Sequence, residues 1–258
     1  MQKEIEKFKD STLLEGMTSL RGLLEGQKAH CNDRKILHVY FDESRLSKIG
    51  KEVAFLRHEG ERQGFDVIPR TGAQINAMAT GNSHGGILAE CSERHISSIA
   101  DEPLQGYKFA VLLDGIEDPY NFGYAVRALY ACGVDLLVLN PRNWLSAAGV
   151  VARASAGTSE RIPALIAEST DSLALFRNAG YNIVCADADA ERAVEDAALP
   201  YPLLLVIGGE RRGISSAVAK QANETVRLAY DREFRGALSA ASAAAILAYE
   251  IARKNREA

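Results

Sequence analysis

The sequence predicts an α/β protein in two parts, a small mixed domain over residues 1–100 and a larger one over 106–258 built on a parallel sheet. Three observations lead there. Helical and strand periodicities alternate through the first hundred residues. From Phe109 onward the apolar runs "FAVLLDG", "DLLVLNP", "YNIVCAD" and "LLLVIGG" are continuous rather than alternating, with helical stretches between them, as expected of strands covered on both faces by helices. Between the two patterns lies the polar stretch "SERHISSIADEPLQGYK", which reads as a linker and puts the boundary near residues 95–106.

Taken in order, "LLEGMTSLRGLLEG" has apolar residues at helical spacing, "KILHVYFDE" reads as a strand, "EVAFLRHEGERQG" as a helix and "FDVIPR" as a short strand. "INAMAT" suggests a short helix and "HGGILAEC" a strand begun by glycine. In the second part, "LLDGIEDPYNFGYAVRALYACGVDLLVL" reads as strand, polar turn, helix and strand. The polar and glycine-rich segments "DGIEDPYNFG", "NPRNW" and "IGGERRG" follow strand ends, which is where open parallel sheets bind ligands. "GALSAASAAAILAYEIARK" closes the chain as an alanine-rich helix.

With 258 residues, 47% hydrophobic and 25% charged, the composition is that of a globular protein. No apolar run approaches the roughly 20 residues that span a bilayer, and the polar start "MQKEIEKFKD" lacks a leader pattern, so a cytoplasmic protein without membrane contact is expected. Cys31, Cys91, Cys132 and Cys185 are far apart and form no C-x-x-C pair, which argues against a zinc site or a disulfide framework. A net charge of −4 gives no general attraction to nucleic acid, so an RNA partner would need local basic patches. Arg142 in "NPRNW", Arg211 and Arg212 in "ERRG", and Arg235 in "YDREFRG" are the candidates, although basic clusters of this kind are more often solvated helix ends than phosphate sites. Trp144, the single tryptophan, is either a buried anchor or a base-stacking ring.

"IGGERRGIS" is a strand-to-helix turn in which adjacent glycines allow close backbone approach, and Ser215 or Ser216 can cap the helix that follows. It has neither the G-x-G-x-x-G spacing of a dinucleotide fingerprint nor a P-loop lysine, which disfavours a nucleotide-dependent oxidoreductase. In the earlier turn, Asp118, Asn121 and Arg127 either satisfy backbone groups where the chain reverses or face a substrate.

Together and in this order, the segments resemble the SpoU/TrmH family within the SPOUT class of RNA methyltransferases. The family's first motif, D-P-x-N-x-G-x-x-x-R, is complete at Asp118, Pro119, Asn121, Gly123 and Arg127. Its second, G-x-E-x-x-G-[IL]-S after a strand, is met at Gly208, Glu210, Gly213, Ile214 and Ser215. The third, usually S-L-N-V-S-V-A, reads "ALSAASA": Leu238 fits, while Ala237 stands where serine is usual and Ser239 where asparagine is usual. Over residues 1–100, "LEGMTSLRGLL" and "HGGILAE" resemble the family's ribosomal-protein-like RNA-binding domain.

The resemblance implies a deep trefoil knot in a SPOUT-type domain, a homodimer, no metal, and S-adenosylmethionine held by the knot loops, here Ile207, Gly208, Gly209, Leu228 and Leu238. It implies transfer of a methyl group to a ribose 2′-hydroxyl of rRNA or tRNA. Arg127 then lies at that hydroxyl, Asn121 and Glu210 hold the geometry, and Ser239 takes the place of the asparagine. A ribose hydroxyl is a poor nucleophile at neutral pH and needs a proton acceptor or a stabiliser of developing alkoxide, aligned with the sulfonium methyl. A protonated arginine supplies the second; a base role needs help, for instance from an RNA phosphate. The altered third motif leaves an alternative, a catalytically weak or silent RNA-binding protein that keeps the fold.

Overall fold

The computed structural model describes residues 12–140, 147–167, 169–209, 213–234 and 236–257, and it divides into two compact units. The first comprises Met1–His95 and Asn143–Arg161; the second comprises Ile96–Arg142 and Ile162–Ala258.

In the first unit, β1 (Leu13–Glu15), α1 (Gly16–Lys28), β2 (Ile36–Asp42), α2 (Leu46–Gln63), β3 (Asp66–Arg70), α3 (Gly72–Met78) and β4 (Ile87–Cys91) follow one another. Their strands make a four-stranded sheet in the order β1-β4-β2-β3, in which only β2 and β3 run parallel. The helix expected over "LLEGMTSLRGLLEG" starts late. Gly16 has φ +80, a left-handed conformation that ends the strand, so Leu13–Glu15 is free to pair with Leu88–Glu90 before the helix begins. Leu20, Leu23 and Leu24 of α1 and Val53 and Leu56 of α2 bury against Val39, Phe41 and Ala89 of the sheet.

Segment Asn143–Arg161 falls inside the sequence-read 106–258 domain but clusters with the first unit. The reason is polar as well as apolar. Ala152 of α5 (Ala148–Ala154) joins the first unit's core, and Arg153 pairs with Glu15, a carboxylate that is itself buried and also accepts from Thr80 and Gly81. Glu160 pairs with Arg34 at 3.0 Å with both side chains almost fully buried, and Asn32 Nδ2 donates to the same carboxylate oxygen at 2.7 Å. No local sequence pattern joins partners more than a hundred residues apart.

The second unit holds β5 (Phe109–Asp114), α4 (Pro119–Ala131), β6 (Leu136–Leu139), β7 (Ala164–Ile166), α6 (Ser169–Asn178), β8 (Asn182–Ala186), β9 (Leu203–Gly208), α7 (Ser216–Ala219), β10 (Glu224–Val226) and α8 (Ala240–Glu257). All its strand pairs are parallel, in the order β10-β8-β9-β5-β6-β7. The four strands expected from continuous apolar runs are the central ones. The two three-residue strands at the edges, β7 and β10, escape such a reading because "ALI" and "ETV" are too short to show a period. One face of the sheet, through Ala110, Leu112, Leu204 and Val206, packs on Leu173 and Phe176 of α6 and Val218 of α7. Val111 and Leu113, which alternate with those residues, are buried as well. Burial on both faces is what made these runs uninterrupted. The helices α4 and α8 pack on each other, and α8 also meets β9. Among the described residues, no helix is long and apolar enough to cross a membrane, and no group of three or more His, Cys, Asp or Glu residues could hold a metal ion.

Candidate functional site

The carboxyl ends of β8, β9 and β10 open into one cleft within the second unit. Its walls come from Ala186–Ala188 at the end of β8 and beyond it, from Ile207 and Gly208 at the end of β9 with Gly209 and Gly213 beyond, from Val226 at the end of β10 with Arg227, Leu228 and Tyr230 beyond, and from the start of α8 with Ala237 and Leu238 before it. Backbone hydrogen bonds hold these segments: Asp187 N donates to Val226 O at 3.0 Å, joining the chain after β8 to the end of β10, and Gly213 N donates to Gly209 O at 2.9 Å, closing the loop after β9.

The glycines are required by close approach. A Cβ on Gly208 would lie 2.3 Å from the carbonyl carbon of Gly213, and one on Gly209 would lie 2.0 Å from Gly115 O. A side chain on Gly208 would break the turn that follows β9, and one on Gly209 would force apart the segments that follow β5 and β9. Ser215 caps α7, its hydroxyl accepting from Val218 N at 3.3 Å, as one of the two serines was expected to do. Side by side in the sheet, β5 and β9 place Asp114 opposite Gly208, and Asp114 accepts a 2.6 Å bond from Asn140 Nδ2 at the end of β6.

The cleft brings together all five residues expected to hold the cofactor: Ile207, Gly208, Gly209, Leu228 and Leu238. Their neighbours Asp187, Arg227 and Tyr230 were not among the sequence candidates. A signal for the first existed, since "YNIVCAD" ends in an aspartate at a parallel strand's carboxyl end; Arg227 and Tyr230 follow a strand too short to recognise. Asp187 is the single acidic and Arg227 the single basic side chain among the described lining residues, and the rest of the wall is largely aliphatic. This set suits a ligand that carries a flat apolar ring together with both signs of charge. Burial pushes the Cys185 thiol on β8 up to about 12, with Asp187 and Asp114 adding to the rise, so it is protonated at neutral pH and no nucleophile.

Asn121, Arg127 and Ser239 do not line the cleft. The first-motif turn divides its labour. Asp118 caps α4, accepting from Asn121 N at 2.7 Å with Pro119 at the first helical position, so it serves the backbone. Arg127 is exposed on the same helix and its side chain makes no hydrogen bond or ion pair with another described residue, which leaves its guanidinium available to a ligand. Ser239 caps α8: its Oγ accepts from Ser242 N at 3.2 Å and bonds Ser242 Oγ at 3.0 Å. Glu210, Arg142, Arg211, Arg212, Arg235 and Trp144 lie outside the described residues.

A parallel sheet with helices on its faces, and a cleft lined by glycine-rich loops at its carboxyl edge, define an α/β protein with a candidate ligand site at the usual place for such sheets. The chain belongs to the SpoU rRNA Methylase family, whose match covers residues 108–249, more than half of the chain. It is 28% identical over 231 residues to YacO of Bacillus subtilis (strain 168), a protein assigned to the TrmH family of tRNA/rRNA methyltransferases, with 86% of this chain and 90% of that one covered. It is 25% identical over 220 residues to the 23S rRNA (guanosine-2′-O-)-methyltransferase RlmB of a Burkholderia species, covering 84% and 86%. Among solved structures, an RNA 2′-O ribose methyltransferase shares the fold with a TM-score of 0.77 at 19% identity, covering 94% of this chain and 88% of that one. The SpoU methyltransferase AviRb from Streptomyces viridochromogenes, solved in complex with AdoMet, gives 0.74 at 22%, covering 94% and 89%.

Proposed function

We propose that the protein is an S-adenosylmethionine-dependent RNA methyltransferase acting on a ribose 2′-hydroxyl of rRNA or tRNA. The observation that carries this reading is the cleft, in which residues of the second and third motifs meet although they are about thirty positions apart in sequence. Ile207, Leu228 and Leu238 supply apolar walls for an adenine ring, Asp187 a partner for the ligand's cationic groups and Arg227 one for its carboxylate. Bound there, the cofactor supplies an electrophilic methyl group on a sulfonium.

The chain's own residues do the rest. Arg127 stabilises the developing alkoxide as the acceptor hydroxyl passes its proton to water or an RNA phosphate, and Asn121 and Glu210 hold the geometry around it. Arg142, Arg211, Arg212 and Arg235 contact RNA phosphates. The proposal includes a knotted course of the C-terminal segment and a homodimer. The second is supported by the paired α4 and α8, which leave Tyr120, Tyr124, Ile246 and Tyr249 exposed. The first unit is assigned to recruiting RNA. Because Asn143–Arg161 packs into that unit, its role is better tested by surface substitutions than by removing residues 1–100.

Calorimetry with S-adenosylmethionine, S-adenosylhomocysteine and NAD, followed by mapping of ribose methylation across total RNA with and without the protein, tests the reading. Folded protein that binds neither S-adenosyl compound removes it. The second reading, an RNA-binding protein that has lost catalysis, is favoured by one observation: the Ser239 hydroxyl that replaces the usual asparagine is engaged in capping α8. Binding of both cofactor and RNA without any methylation would establish that reading instead.

A further inference from the structure

The segment between β10 and α8, "YDREFRG", carries a pair of aromatic rings that the reading above does not use. Tyr230 lines the cleft yet is 41% exposed, and Phe234 is 52% exposed. Their centroids lie 5.6 Å apart with the planes at 75°, an edge-to-face pair. Phe234 also lies over the chain at Gly236, where a Cβ would come within 2.7 Å of the ring's Cζ. The ring is therefore held by the edge of one neighbour and the backbone of another, while half of its surface faces outward.

We propose that Phe234, supported by Tyr230 and Gly236, is a stacking platform for an unpaired nucleobase of the RNA beside the nucleotide that receives the methyl group. The proposal rests on the RNA methyltransferase reading of the cleft. Phenylalanine has no polar handle, so its exposed surface recognises apolar, π or cationic groups, and of these a polyanionic RNA offers the faces of its bases. In sequence the segment carries Asp231, Arg232, Glu233 and Arg235, two charges of each sign, so beyond the single phosphate contact proposed for Arg235 it offers no net attraction to the RNA backbone, and recognition of a base here falls to the ring. The acceptor ribose must come to the mouth of the cleft, where Tyr230 stands. Single-stranded RNA is commonly read by bases stacked on such rings.

The test uses full-length wild type, Phe234→Leu and Phe234→Tyr with single-stranded RNA oligonucleotides containing 2-aminopurine, whose fluorescence falls on stacking. Leucine keeps the apolar bulk and removes the π face; tyrosine keeps both. Phe234→Leu is expected to weaken RNA binding at fixed salt by roughly five- to a hundredfold, the range for one base–aromatic stack. It is also expected to lose the quenching while keeping the wild-type salt slope and affinity for S-adenosylmethionine, and Phe234→Tyr to restore binding and quenching. Three results overturn the platform: unchanged RNA affinity and quenching in Phe234→Leu, a loss of cofactor affinity that parallels the loss of RNA, or conversion of a wild-type dimer to monomer, which would place the ring in a protomer interface. Wild-type protein that binds the cofactor but no RNA refutes the underlying reading, and the platform with it.

Discussion

Replacing Glu160 by glutamine tests whether Asn143–Arg161 is a structural part of the first unit. The carboxylate faces Arg34 Nε at 3.0 Å and Asn32 Nδ2 at 2.7 Å, and the two side chains of the ion pair are 4% and 3% exposed. Arg34 also donates to Ser92 O at 2.8 Å, and Asn32 Nδ2 to Glu160 O at 3.0 Å, so the substitution does not strip every bond from either group. It does remove the charge opposite a guanidinium that water cannot reach. Breaking a buried pair from one side costs about 3–5 kcal/mol; glutamine, which keeps an acceptor oxygen and the shape, belongs at the lower end and Glu160→Ala at the upper. Against a total stability of about 5–15 kcal/mol for a typical domain, that is a large fraction.

Native-state hydrogen exchange on peptides from α1 and β2 reads this directly, because their most protected amides open only when the unit unfolds. Their opening free energy should fall by about 3 kcal/mol in Glu160→Gln. Peptides from β9 should change little, and so should S-adenosylmethionine affinity, since every described residue lining the cleft belongs to the second unit. Substituting both partners together, Glu160→Leu with Arg34→Met, should recover most of the loss, because apolar groups of similar volume carry no desolvation penalty. Opening energies in Glu160→Gln within about 0.5 kcal/mol of wild type, the usual range for a surface substitution, would refute the reasoning.

Arg127→Ala should leave fold and cofactor affinity nearly intact and lower single-turnover methyl transfer by at least about a hundredfold; equal rates would remove Arg127 from the chemistry. Gly209→Ala, whose added carbon would lie 2.0 Å from Gly115 O, should abolish S-adenosylmethionine binding measured by calorimetry while the first unit's exchange pattern stays unchanged. Ser239→Ala should cost about 1 kcal/mol of stability in urea unfolding through the lost cap, and should slow transfer less than Arg127→Ala does. Ser239→Asn, which caps as well as serine, should restore the stability.

Much of the fold was legible because β5, β6, β8 and β9 are buried on both faces and so appear as uninterrupted apolar runs. Strand order was not legible: nothing local states that β9, late in the chain, pairs with β5 rather than with β10. The first unit's true extent was hidden for the same reason. Glu160 and Arg153 carry no local signal of their burial, because their partners Arg34 and Glu15 come from more than a hundred residues earlier in the sequence. Residues whose role depends on one long-range contact carry no periodicity to betray it.

The cleft was legible to the extent that its chemistry is backbone chemistry. Where chain must meet chain at 2–3 Å from a missing Cβ, only glycine serves, so Gly208 and Gly209 mark the place in the sequence as plainly as in the structure. Asp118, Pro119 and Ser215 are visible for a related reason, since caps and helix starts tolerate few residue types. Side chains that face a ligand answer to no such local rule. Asp187, Arg227 and Tyr230 are each compatible with a bare surface turn, and they acquire meaning only when three strand ends converge. The same logic bears on the departures at Ala237 and Ser239. If cofactor binding rests on glycine-permitted backbone and apolar walls, a changed side chain at the start of α8 need not empty the cleft. What it changes is the polar group offered next to the cleft wall at Leu238, so the two readings of this protein separate at the rate of transfer rather than at cofactor affinity.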